Sequence, residues 1–135
     1  MIRLLLSIAI GYTLGWERKK NDKPGGGSRT LALISMASCL IAIMTQVLIE
    51  NITGNDAMIR MNITRLMAYG IASIGFLGSS VIIKNKNHID GITTASLIWA
   101  VVPINYCIGL GYYFYGIGSA ILTYLVLESK YWRLK

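Results

Sequence analysis

Five uncharged runs divide the chain: Leu4 to Trp16, Leu31 to Ile49, Leu66 to Ile83, Ile92 to Ile108 and Leu110 to Leu127. Four of them approach or reach the ~17–20 residues that a helix needs to cross a hydrocarbon layer ~30 Å thick. A core helix of a water-soluble domain would instead alternate apolar and polar faces over a shorter length. With 54% hydrophobic and 14% charged residues and a mean hydropathy of +0.55, the chain has too little polar surface to cover such runs in water. The sequence predicts an all-α, polytopic transmembrane helical bundle of about five helices, forming a single domain over residues 1–135.

The first run is short. Only Arg3 precedes it, no A-x-A cleavage pattern follows, and Glu17-Arg18-Lys19-Lys20 comes next, so a retained anchor is expected rather than a cleaved signal peptide. Pro103, Asn105 and Gly109-Leu110-Gly111 are the breakers between the last two runs. They allow a tight hairpin with a kinked first arm, or a re-entrant pair.

If all five runs cross, ten of the 13 lysines and arginines fall on one side: Arg18, Lys19, Lys20, Lys23, Arg29, Lys84, Lys86, Lys130, Arg133 and Lys135. Arg3, Arg60 and Arg65 fall on the other. Positive charge is retained in the cytoplasm, which places the N-terminus outside and the C-terminus inside. Tyr112, Tyr113 and Tyr115 then mark the outer interface, and Tyr131 and Trp132 the inner one. The formal charge of +7 is explained by this placement at the ends of apolar runs, not by a nucleic-acid surface.

Small residues recur at four-residue spacing: Gly11 and Gly15, Ala68 and Ala72, Gly75 and Ser79, Ser96 and Ala100, Gly116 and Ala120. In lipid, helices associate through close van der Waals approach and interhelical hydrogen bonds, which small residues permit. Their accumulation in the third run predicts that it is the crowded, central helix. The alternative is a cavity or path lined by Ser73, Ser79, Ser80 and backbone carbonyls.

Ionisable residues deep in a bilayer mark functional sites, but Glu17, Glu50, Arg65, Lys84, Asp90 and Glu128 all fall at the ends of runs. The polar residues within or at the margins of the runs are neutral: Ser35, Ser38, Thr45, Gln46, Ser73, Thr93, Thr94, Ser96, Asn105 and Thr123. Interhelical hydrogen bonding is the expected role of these. Glu17 with Asp90, or Glu50 with Asp56, are the carboxylate pairs a Mg²⁺ path would want, although Arg18, Arg29 and Lys84 compete for them. His88 reads as an exposed loop residue, and Cys39 and Cys107 as small packing residues. No nucleophile with a base, phosphate loop or ligand cluster is present in the sequence, so neither an enzyme nor a resident metal or cofactor is expected.

Several motifs in order resemble the MgtC/SapB family of membrane proteins: Gly11-x-x-x-Gly15-Trp16-Glu17-Arg18, Ser28-Arg29-Thr30-Leu31, Arg65 followed by Ile74-Gly75-Phe76-Leu77-Gly78, Gly91-Ile92-Thr93-Thr94-Ala95-Ser96-Leu97-Ile98-Trp99-Ala100, and Gly109-Leu110-Gly111. The match covers nearly the whole chain. The resemblance implies a multi-pass protein of the bacterial inner (plasma) membrane, linked to Mg²⁺ homeostasis or low-Mg²⁺ adaptation. It implies regulation of other integral membrane proteins, the proton-translocating ATP synthase among them. Transport of Mg²⁺ or another small solute is the alternative function. The lipid bilayer, such protein partners and further copies of the chain are the expected partners, and nucleic acid is not. Carried over by position, the signature residues are Glu17, Arg18, Arg29, Thr30, Arg65, Gly75, Phe76, Leu77, Gly78, Gly91, Thr93, Thr94 and Trp99.

Where the family usually has an acidic residue and a proline ahead of Arg65, this chain has Asn62 and Ile63, and Ser73 and Ser80 replace glycines. The cytosolic C-terminal domain of many members is not part of the expectation. From the residues themselves, Glu17 is expected to pair with Arg18 or Arg29 in a cytoplasmic cluster closed by threonines. Thr93, Thr94 or Asp90 is expected to cap the fourth helix.

Overall fold

The computed structural model describes residues 1–20, 27–51, 57–84 and 88–129. Five helices form where the five uncharged runs lie: α1 (Ile2–Lys20), α2 (Ser28–Glu50), α3 (Ala57–Ser80), α4 (Ile92–Leu110) and α5 (Tyr113–Glu128), with a short antiparallel hairpin of β1 (Ile83–Lys84) and β2 (Ile89–Asp90) before α4. Both α2 and α4 are long and apolar enough to cross a membrane, and α5 is a shorter apolar helix. The architecture is all-α, of the kind a helical membrane protein has.

The helix at the centre is α4, not α3. It packs against α1, α2, α3 and α5, and Leu97, Ile98, Val101, Val102, Ile104, Tyr106 and Ile108 are all buried along it. This corrects the expectation that the third run is the crowded one, and the reason is physical. A central helix must be acceptable to neighbours on all sides, and α4 is apolar nearly all round. By contrast, α3 exposes Asn62, Arg65, Ser73 and Ser80. Small residues permit close approach without requiring it: a Cβ added at Gly75 would meet nothing within 4 Å, and Ala68 and Ala72 are exposed.

Close approach occurs instead between α1 and α2. A Cβ at Gly11 would collide with Ser35 Oγ and lie 2.5 Å from Leu31 O, and one at Gly15 would lie 2.6 Å from Ser28 Cα. The second Hα of Gly11 is therefore aimed at two oxygens, a Cα–H···O arrangement that only glycine allows. Gly109 does the same on α4, where a Cβ would lie 2.6 Å from Cys39 O of α2.

These contacts also fix direction. Arg3 at the start of α1 reaches Gln46 near the end of α2 and Gly109 near the end of α4, whereas Gly15 sits beside Ser28 at the start of α2. Hence α1 and α5 run opposite to α2 and α4, and α3, with Gly78 beside Ala95 and Gly70 beside Tyr106, runs with α1. The molecule has an Arg3 end and a Glu17 end.

Chain reversals use two glycines with positive φ. Gly111 (φ 90) follows α4, and its N–H and that of Tyr112 donate to Ile108 O at 3.1 Å and Cys107 O at 2.8 Å. Gly91 (φ 89) turns the hairpin into α4 and is itself the N-cap, with no side-chain cap hydrogen bond. The expected caps Thr93, Thr94 and Asp90 are not used, because the tight turn brings Val81 O against the Gly91 Cα and the hairpin claims Asp90 for strand pairing.

Candidate functional site

At the Arg3 end, one guanidinium joins the termini of four helices. Arg3 donates from Nη1 to Gly109 O at 2.8 Å and to Gln46 Oε1 at 3.2 Å, and from Nε to Tyr113 Oη at 3.1 Å. Gln46 in turn donates to Glu50 Oε1 at 2.8 Å. The last turn of α4 has no basic residue of its own, so Arg3 supplies the cation that a helix C-terminus favours. Sequence counting treated Arg3 only as an outer charge, since nothing local connects it to residues 46, 109 and 113.

Midway along the bundle, Ser7, Ser35, Cys39 and Asn105 have no solvent exposure. The Ser7 hydroxyl points its single proton at two acceptors, Asn105 Oδ1 at 2.5 Å and Ser35 O at 2.7 Å. Asn105 Nδ2 donates to Val101 O at 2.7 Å. Buried polar groups are generally paired, and here Ser7 ties α1 to α2 and α4, while the Ser35 hydroxyl finds no hydrogen-bond partner among the described residues. Ser38 and Thr45, also buried on α2, donate to Ile34 O and Ile41 O at 2.8 Å each. The interhelical role expected of Asn105 is thus present, with Ser7 as a partner the sequence reading missed.

At the Glu17 end, Glu17 and Arg18 are both buried, with Arg18 Nε 3.4 Å from Glu17 Oε2. Of the two pairings expected, this is the one formed. Arg29, Thr30 and Thr93 are exposed, and Thr94 is buried, so these threonines do not converge with Glu17 into one cluster. His88 is exposed, with Nε2 3.0 Å from Asp90 Oδ2. Glu50 is engaged by Gln46 at the opposite end from Glu17, and Asp56 lies outside the described residues. Among the described residues no three of the His, Cys, Asp and Glu side chains come together as a metal site.

On the flank of the bundle, the outward face of α3 carries Asn62, Arg65, Tyr69, Ser73, Phe76 and Ser80 at helical spacing, all exposed. Phe76 is 79% exposed. Ser73 and Ser80 each spend their proton on the carbonyl three residues back, leaving oxygen lone pairs outward. The outward face of α5 differs: Phe114, Ile121, Leu122, Leu125 and Val126 make it mainly apolar, with Tyr115 and Ser119 adding exposed hydroxyls. Between α3 and α4 lies a groove of about 370 Å³, with Gly75, Gly78 and Trp99 among its walls.

The profile of the MgtC family matches residues 4–133. The chain belongs to the MgtC family. It is 36% identical over 128 residues to an uncharacterized protein of Haemophilus influenzae, an alignment covering 94% of this chain and 52% of that one. It is 34% identical over 128 residues to an Escherichia coli protein named "Putative magnesium transporter YhiD" (95% and 59%), and 29% identical over 136 residues to Protein SapB of Bacillus subtilis (100% and 58%). The chain therefore spans little more than half the length of these relatives. No solved structure matches it.

The motif positions that carry the MgtC resemblance separate into three groups in space. Glu17 and Arg18 lie together in the buried pair, with Arg29 and Thr30 at the exposed start of α2. Gly91 shapes the turn into α4, with Thr93 exposed and Thr94 buried after it. Gly75, Gly78 and Trp99 share the α3–α4 groove, and Arg65, Phe76 and Leu77 lie on the exposed side of α3.

Proposed function

We propose that this MgtC-family chain is a non-enzymatic, multi-pass protein of the bacterial inner membrane that regulates other integral membrane proteins by binding them through the outward face of α3, in a process linked to Mg²⁺ homeostasis. The Arg3 end would face outward and the Glu17 end the cytoplasm, the orientation that keeps ten of the 13 lysines and arginines inside. The observation that carries the reading is the exposed α3 face. Phe76 at 79% exposure adds nothing to the packing of its own chain, yet it sits in the motif that carries the family resemblance, beside polar groups that a lipid-facing helix has no use for. An exposed aromatic flanked at helical spacing by Ser73 and Ser80, on the same helix as Arg65, is the kind of residue that dominates a protein interface.

The printed name of YhiD links that relative to magnesium transport, and transport is the second reading. It is favoured by the row of buried hydroxyls on α2, Ser28, Ser35, Ser38 and Thr45. Those hydroxyls are neutral, however, and a dehydrating Mg²⁺ site wants carboxylates. A photo-crosslinking residue at position 76 in native membranes, combined with Mg²⁺ flux into proteoliposomes, separates the two. A discrete protein adduct without flux supports regulation, and inclusion of the ATP synthase among the adducts would identify one partner. Saturable flux with no adduct would overturn it.

A further inference from the structure

We infer that the groove between α3 and α4 holds one anionic phospholipid of the cytoplasmic leaflet, its acyl chain against Trp99 and its phosphate at Lys84. The inference rests on the membrane reading and orientation given above, and not on the partner face, which lies around α3 from the groove. The groove is about 370 Å³ and mostly apolar, bounded by Gly75 and Gly78 of α3, by Ile82 just after that helix, and by Ala95, Ser96 and Trp99 of α4. That places it within the range of ligand-sized clefts. Its position within the bundle is at the Glu17 end, since Gly78 faces Ala95 in the first turn of α4.

Two features select the occupant. First, Gly75 has open space where a Cβ would stand, so the groove floor is unfilled by this chain, and Ser79 and Ser96 turn their hydroxyl protons back to Phe76 O and Ile92 O. The walls thus present mainly hydrocarbon, with both serine protons already spent, which suits an acyl chain. Second, a cation follows the groove wall closely in sequence. Lys84 follows the wall residue Ile82 by two positions, is exposed, and has no ion-pair partner among the described residues. The nearest carboxylate in sequence among them, Asp90, is engaged by His88 at 3.0 Å. An apolar trough with an exposed lysine two residues beyond its wall, at the cytoplasmic interface in this orientation, is complementary to a lipid with an apolar tail and a negative head.

The test uses the full chain in vesicles, with Trp16→Phe and Trp132→Phe leaving Trp99 as the only tryptophan of the three. Its fluorescence is quenched by lipids brominated on the acyl chain, added as phosphatidylglycerol or phosphatidylcholine. The site predicts half-maximal quenching of Trp99 at a roughly fivefold lower mole fraction of the anionic lipid, the preference expected of one interfacial lysine. Lys84→Gln should remove the preference and Lys84→Arg restore it. Gly75→Leu, whose Cβ meets nothing within 4 Å and whose longer branch occupies the groove, should weaken quenching by the anionic lipid. Equal quenching by the two lipids would overturn the site while leaving the membrane reading intact. Protection of Trp99 from both lipids, with Trp16 still quenched in the parent chain, would mean that a helix of another protein or of a second copy fills the groove, and would also overturn it. If no tryptophan of the parent chain is quenched, the membrane reading itself fails.

Discussion

Gly11→Ala and Gly75→Ala remove the same feature, a glycine within a helix, and should move stability in opposite directions. At Gly11 the added methyl would stand 2.5 Å from Leu31 O and 2.8 Å from Ser35 Cβ, and closer still to Ser35 Oγ. Ordinary contact begins near 3.4 Å, so α1 and α2 must part locally by about 1 Å. Overpacking of this kind costs roughly 1–3 kcal/mol, and each Cα–H···O contact given up adds about 0.5–1 kcal/mol. Helix propensity returns at most about 1 kcal/mol, and less in a detergent where the denatured chain keeps its helices. The net expectation for Gly11→Ala is a loss of about 1–3 kcal/mol. At Gly75 the methyl meets nothing within 4 Å, so only the propensity gain remains, on the order of a few tenths to 1 kcal/mol. Reversible unfolding in mixed micelles, followed by far-UV circular dichroism, measures both. If Gly11→Ala is neutral, or if Gly75→Ala is as damaging as Gly11→Ala, the assignment of the α1–α2 contact as the tight one is wrong.

Two further substitutions probe the ends of the bundle. Arg3→Ala should cost about 1.5–3 kcal/mol, the range for hydrogen bonds to a charged group, and Arg3→Lys should recover only part of it because an ammonium cannot hold Gly109 O, Gln46 and Tyr113 in one planar fork; denaturation midpoints in detergent would show the order. Glu17→Ala leaves Arg18 buried at 5% exposure, a loss of roughly 3–5 kcal/mol. A double-mutant cycle should give a coupling above about 0.5 kcal/mol for Glu17 with Arg18 and none for Glu17 with Arg29, which is exposed at the start of α2.

The number of helices was legible because charges separate the first four apolar runs and Gly109-Leu110-Gly111 breaks the fourth from the fifth, and α4 starts at the very residue, Ile92, where its run begins. Boundaries failed where side chains rather than charges decide them. Helix α3 begins at Ala57, well ahead of the run that starts at Leu66, since Arg60 and Arg65 are good helix formers even though they end an uncharged stretch. The hairpin at Ile83–Lys84 and Ile89–Asp90 was hidden inside and beyond that run, because Ile82 and Ile83 continue its apolar pattern. Small-residue spacing located the Gly11 contact correctly and misplaced the centre of the bundle, because it records which helices can approach and not which do. Of the polar sites, the Glu17–Arg18 pair was readable as neighbouring charges at a helix end. The Arg3 clamp and the Ser7–Asn105 bond join residues 43 to 110 positions apart, a separation no local pattern reports.

The central claim, that the α3 face is the one made for protein and the α5 face the one made for lipid, is tested most directly by placing the same photo-crosslinking residue at position 76 and at position 122 in native membranes. Phe76 and Leu122 are both exposed, at 79% and 64%, so both probes are free to react. The account predicts discrete protein adducts from position 76 and only lipid adducts from position 122; lipid adducts alone from both, or the same protein adducts from both, would contradict it.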